Sequence, residues 1–134
     1  MLTMKAKYAL KALEVLAKSG AHGSRAIAEK ADVPHKFLES ILQELKRHDV
    51  VKSRRGIFGG YVLAKPAEEI YLGNVIRIID GPLAPIRCAS VTAYQKCEDC
   101  LDENTCAIKH VMFEVRNAIS GVLDKKTLKE FAGI

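Results

Sequence analysis

The chain has 134 residues, 49% of them apolar, which suits one domain with a real core and excludes wholesale disorder. No apolar run approaches the roughly 18 to 20 residues of a membrane span, and an N-terminus that alternates lysines with apolar residues does not read as a signal peptide. The net charge of +5 is uneven: residues 1–66 hold 13 Lys and Arg against 6 Asp and Glu, and residues 67–134 hold 8 against 10, as expected for a polyanion-binding module joined to something else.

An amphipathic helix is predicted from about Lys5 to Ser19, with Ala9, Leu10, Leu13, Leu16 and Ala17 at helical spacing and Gly20 beyond its end. Ser24 is a plausible N-cap for a short second helix over Arg25 to Ala31. Asp32-Val33-Pro34 reads as a turn, because Pro34 disfavours helical geometry at Val33 and suits the first turn of a helix. A third helix is predicted from about Pro34 to His48, with Leu38, Ile41, Leu42 and Leu45 as its buried stripe.

Val50–Ser53 and Tyr61–Ala64 are β-prone runs on either side of a glycine-rich tip, Arg54-Arg55-Gly56-Ile57-Phe58-Gly59-Gly60, and together make a hairpin. Tyr71 to Asp80 reads as a helix that Gly81-Pro82 stops. Residues 82–106 show little periodicity. A last long helix is predicted from about Thr105 to Leu123. The expected fold is therefore mainly α with a small β-hairpin wing: a winged helix-turn-helix unit over 1–81, a cysteine-containing loop over 82–106, and a dimerisation helix with a C-terminal tail over 107–134.

Helix, short helix, tight turn, helix and basic hairpin is the order in which a third helix can enter a major groove with its polar N-terminal side chains at base edges. The hairpin tip offers Arg54 and Arg55, and its glycines let the backbone come close to a phosphate or a narrow minor groove.

All four cysteines, Cys88, Cys97, Cys100 and Cys106, lie within 19 residues ahead of the long helix. Without an export signal they argue for metal, cluster or thiol chemistry in a reducing cytoplasm rather than a disulfide framework. Thiolates this close can hold an iron–sulfur cluster or a tetrahedral zinc ion. Ile108, Val111, Met112, Val115, Ile119 and Val122 mark one side of the long helix, and a small winged unit offers little surface to bury it. Pairing with a second copy is the economical explanation.

Residues 27–70 closely resemble the Rrf-type family of bacterial regulators, which includes IscR, NsrR, RirA and CymR. The resemblance rests on Ile27-Ala28, Val33-Pro34, Phe37-Leu38-Glu39, Leu45, Val51-Lys52-Ser53, Arg55-Gly56, Gly59-Gly60-Tyr61, Leu63-Ala64 and Pro66. Lys7-Tyr8-Ala9-Leu10, Val75-Ile76 and Asp80-Gly81-Pro82 extend it over nearly the whole chain. It implies a homodimer that binds an imperfect palindrome in double-stranded DNA and usually represses transcription. His35, Lys36, Glu39 and Ser40 would meet the major groove, and Arg55 would reach the minor groove. Ser53, Arg54, Gly56, Gly59, Gly60 and Tyr61 would form the rest of the wing's contact, with Lys7 and Tyr8 on phosphates.

Family members that sense through a 2Fe–2S or 4Fe–4S cluster carry three cysteines here, which Cys88, Cys100 and Cys106 match. Cys97 departs from that pattern, and it forms an additional C-x-x-C with Cys100. His110 stands one residue beyond the position at which IscR-like members supply a histidine ligand. Cys97 or His110 as fourth ligand, a zinc site, a thiol switch at Cys97 and Cys100, and a regulator without a cluster that responds to a partner protein or small molecule all remain open. An enzyme is not expected: a thiol oxidoreductase built on Cys97-Glu98-Asp99-Cys100 would need a thioredoxin-like α/β fold, and the two acids would raise the thiol pKa values.

Overall fold

In the computed structural model, which describes residues 2–57 and 59–134, six helices and one hairpin run in the order α1 (Met4–Ser19), α2 (Ser24–Ala31), α3 (His35–Arg47), β1 (Val51–Arg54), β2 (Gly60–Leu63), α4 (Leu72–Asp80), α5 (Ala107–Leu123) and α6 (Leu128–Ala132). Phe58, at the wing tip, lies outside the described residues. The mainly helical architecture with a two-stranded antiparallel wing agrees with the sequence reading.

Thr3 caps α1 by accepting from the Ala6 N–H at 3.1 Å. The expected Ser24 cap of α2 is corrected: Gly23, extended at φ −68° and ψ 161°, occupies the N-cap position. The reason is that the Ser24 hydroxyl is engaged elsewhere, 2.9 Å from His35 Nε2. Asp32 closes α2 at φ 55°, a left-handed position that Asp tolerates better than most residues, and the chain turns directly into α3.

The core lies between α1, α2, α3, α4, β1 and α6. Its fully buried large side chains are Leu13, Ile27, Leu38, Ile41, Leu42, Leu45, Val51, Val75 and Leu128. Leu38, Ile41, Leu42 and Leu45 are the stripe expected from helical spacing, and all four are buried.

The C-terminal segment, expected as a tail, contains α6. Thr127 and Glu130 form a capping box, and Leu128 is 0% exposed. The Leu128 N–H donates to the Ile70 carbonyl at 2.7 Å and the Leu72 N–H to the Lys126 carbonyl at 2.9 Å, which fastens this segment to the start of α4. Residues 126–132 thus pack with the winged unit, although they come after α5 in sequence.

Helix α5 stands apart from this core. None of its residues is buried; Ile108 is 64% exposed, and Val111, Val115 and Val122 are also exposed. Its neighbours are the 3-10 turn Arg87–Ala89 and α4. The segment read as lacking periodicity carries two such turns, Arg87–Ala89 and Glu103–Thr105. Among the described residues, no helix is long and apolar enough to cross a membrane.

Candidate nucleic-acid interface and cysteine loop

Three exposed elements of the winged unit carry the side chains expected to meet DNA. Helix α3 presents Lys36, Glu39 and Ser40, all exposed. His35 is half-buried and lies between Ser24 Oγ at 2.9 Å and Glu39 Oε1 at 3.4 Å, so its ring is held at the helix start. The Ser40 hydroxyl donates to the Phe37 carbonyl at 3.0 Å. Phe37 itself is exposed, and a reading focused on polar residues passes over it.

The wing carries Ser53, Arg54, Arg55 and Gly56, all exposed. Tyr61 is half-buried, and it ties the wing to the body. Its backbone exchanges two hydrogen bonds with His22, at 2.7 and 3.1 Å, and its hydroxyl accepts from Gln43 Nε2 at 3.4 Å.

Two wing glycines have roles inside the fold. Gly60 has φ 116°, and a Cβ there would lie 2.4 Å from the His22 carbonyl. A Cβ on Gly59 would lie 2.4 Å from the Arg54 carbonyl oxygen. Both positions must lack a side chain so that the turn can close and the strand can approach the α1–α2 loop. On α1, Lys7 is exposed and Tyr8 is partly buried against the core.

The second region is the cysteine loop. Cys88, Cys97, Cys100 and Cys106 all line one cavity of about 380 Å³, together with Ile86, Asp99 and Lys109. Cys88 is buried in the 3-10 turn that packs on α5, and the Cys97 thiol donates to its sulfur at 3.7 Å. Cys106 is the N-cap of α5, its sulfur accepting from the Lys109 N–H at 3.5 Å. His110 is exposed one position further along and does not line the cavity. A switch at Cys97 and Cys100 is one of the alternatives the sequence leaves open; the sulfurs in contact here are those of Cys88 and Cys97.

The Cys97 thiol is held above the ordinary thiol value, first by its hydrogen bond with Cys88 and then by burial. Burial, followed by the charge of Glu103, does the same for Cys100. Of the two acids expected to raise these thiols, Asp99 does so for Cys97, behind sulfur contact and burial, whereas the acid that acts on Cys100 is Glu103.

Two thiolates on one tetrahedral ion, with metal–sulfur bonds of about 2.3 Å, lie about 3.8 Å apart. The Cys88–Cys97 separation of 3.7 Å matches that edge. Among the described residues, however, no group of three His, Cys, Asp or Glu is gathered closely enough to hold a metal ion. The donor chemistry suits a cluster or zinc, but the observed arrangement does not assemble a ligand set.

The loop is also fastened to α5. The Tyr94 hydroxyl donates to Glu103 Oε1, and Lys109 pairs with Glu103 at 3.3 Å while its ammonium lies 5.5 Å from the Tyr94 ring centroid. Hydrogen bonding to Glu103 pushes the Tyr94 pKa up to about 12. At the opposite end of α5, Arg77 of α4 holds Asp124 through two hydrogen bonds.

A family model described as "Iron-dependent Transcriptional regulator", Rrf2, matches residues 2–133. An rrf2-like HTH-type transcriptional regulator of Rhodobacter capsulatus is 42% identical over 136 residues, covering 97% of this chain and 91% of that protein. The solved structure of CymR, the global cysteine regulator of B. subtilis, superposes with a TM-score of 0.80 at 29% identity, covering 99% of this chain and 96% of that one. IscR of T. potens gives 0.77 at 27% identity, with 98% and 85% covered. With this match over nearly its full length, and with a winged unit built from α1 to α4 and the β1–β2 hairpin, the chain belongs to the Rrf2 family of DNA-binding transcriptional regulators.

Proposed function

We propose that the protein is a homodimeric, sequence-specific repressor whose affinity for an imperfect palindrome is set by the state of its cysteine loop. The observation that carries this reading is the convergence of all four cysteines on one cavity at the base of α5. Helix α3 and the wing supply the DNA-facing surface. Lys36, Glu39 and Ser40 read base edges, Arg55 enters the minor groove, and Lys7 meets phosphate. The exposed apolar side of α5 pairs with its copy. That pairing would set two α3 helices about one DNA turn apart, or a multiple of it.

The loop has a physical route to the DNA-binding unit. Cys88 packs on α5 through its turn, Cys106 caps that helix, and the Tyr94–Glu103–Lys109 group fastens the loop to its first turn. The far end of α5 is clamped to α4 by Arg77 and Asp124. A change in the loop that shifts α5 therefore pulls on a helix of the winged core. Two discrete positions of α5 would give two wing spacings, of which one fits the operator.

What occupies the loop is decided by preparation without oxygen. Anaerobic purification with assays for iron, sulfide and zinc distinguishes a cluster from zinc, and selection of duplexes from a random pool tests the DNA reading. Iron and sulfide in equal stoichiometry support a cluster, zinc alone a structural site, and no metal a thiol switch. A protein that selects no duplex, or whose DNA affinity is the same with and without all four cysteines, contradicts the proposal.

A further inference from the structure

Phe37, in the first turn of α3, is 62% exposed, and among the exposed large apolar side chains it alone belongs to this helix. The core does not need it. Leu38, Ile41, Leu42 and Leu45 already close the inner face, and each is 0% exposed. At about 100° per residue, Phe37 flanks the outer arc that holds Lys36, Ser40, Gln43 and Arg47, all exposed.

A protein-docking face would be a contiguous apolar patch. Here a single aromatic ring shares its helix with exposed Lys36, Ser40, Gln43 and Arg47 and one exposed acid, Glu39, in a unit whose wing adds Arg54 and Arg55. That charge favours a polyanion as the occupant. A phenyl ring has no hydrogen-bonding group with which to read a base edge. The one apolar group that base pairs present in the major groove is the 5-methyl of thymine.

We infer that Phe37 is a specificity-determining residue, its ring packing on a thymine 5-methyl group in each half-site. The inference rests on the proposed DNA-binding function and names one base that the polar residues leave unread. The Ser40 hydroxyl, which donates to the Phe37 carbonyl, supports the position of this turn of the helix.

The test uses the full-length protein and a duplex that the wild type selects from a random-sequence pool, with each thymine replaced in turn by deoxyuridine. Removal of the methyl at one position in both half-sites should weaken wild-type binding about fifteen-fold, the effect of two buried methylene-sized groups, one per half-site. Phe37→Ala should bind the unmodified duplex with a similar loss and show no further loss at that position. Phe37→Leu, which keeps an apolar surface, should recover part of the discrimination.

Because the ring is exposed, Phe37→Ala should retain its melting temperature and its oligomeric state. Equal deoxyuridine losses in wild type and Phe37→Ala, or no deoxyuridine loss anywhere, overturn the inference and leave the DNA-binding reading intact. A change of oligomeric state in Phe37→Ala also overturns it, by placing the ring in a protein contact. Failure of the wild type to select any duplex overturns the DNA-binding reading itself.

Discussion

Arg77 and Asp124, 47 residues apart in sequence, form a two-bond ion pair at 2.6 and 2.8 Å that joins α4 to the C-terminal end of α5. The fold leaves room for it: a Cβ on Gly73 would lie 2.0 Å from Asp124 Oδ1. The Arg77 guanidinium holds the Asp124 carboxyl below the usual carboxylate range. Arg77→Ala should cost about 1–2 kcal/mol in urea denaturation, the lower end being favoured because the pair is partly exposed. The depressed value sets the sign with pH. The stabilisation is complete above the ordinary carboxylate pKa and disappears as pH falls through the lowered one. The gap between wild type and Asp124→Asn should therefore narrow in acid; a gap that widens there would contradict the assignment.

Arg55→Ala should weaken specific DNA binding by about 1–3 kcal/mol at fixed salt without lowering the melting temperature. The residue is exposed on the wing and contributes nothing to the core. Equal affinities for a selected operator would remove Arg55 from the interface.

Replacing both Val115 and Ile119 with lysine should convert a dimer to a monomer, because like charges would then face each other across an apolar seam. The residues sit on a helix with no buried side chain, so the monomer should stay folded. Light scattering decides the point, and a folded double variant that still has twice the chain mass places the interface elsewhere.

Cys97 should react slowly with iodoacetamide at pH 7 in the reduced, metal-free protein, its rate still rising beyond the ordinary thiol pKa of about 8.5. The first cause is the hydrogen bond with Cys88, so Cys88→Ala, which removes the acceptor, should shift the profile down. A Cys97 profile that levels off at or below the ordinary value, read peptide by peptide in a mass spectrometer, contradicts this geometry.

The winged unit is legible in the sequence because each of its signals is local. The apolar stripe of α3, the Asp32-Val33-Pro34 turn and the basic glycine tip lie within a few residues of one another, and strong local patterning survives into the fold. Helix α6 is less so. It is five residues long, too short for periodicity to announce, although its Thr127-x-x-Glu130 capping box is a local signal.

Long-range pairings are not legible. Ser24 looks like a cap until His35, brought close by the α2–α3 turn, takes its hydroxyl. The Gly60 requirement comes from the His22 carbonyl across the α1–α2 loop. In the cysteine loop, spacing favours Cys97 with Cys100, whereas the 3-10 turn at Arg87–Ala89 brings Cys88 to Cys97 instead. Phe37 belongs to the family pattern in the sequence, but its exposure is visible only once the core closes without it.

The central claim, that the cysteine loop governs DNA affinity, is tested most directly by one titration. Operator affinity is measured at fixed salt for anaerobically prepared protein before and after oxidation, beside a variant with all four cysteines replaced by serine. A change of at least about tenfold, or about 1.4 kcal/mol, in the wild type and none in the variant is the predicted result. Equal affinities before and after oxidation of the wild type would contradict it.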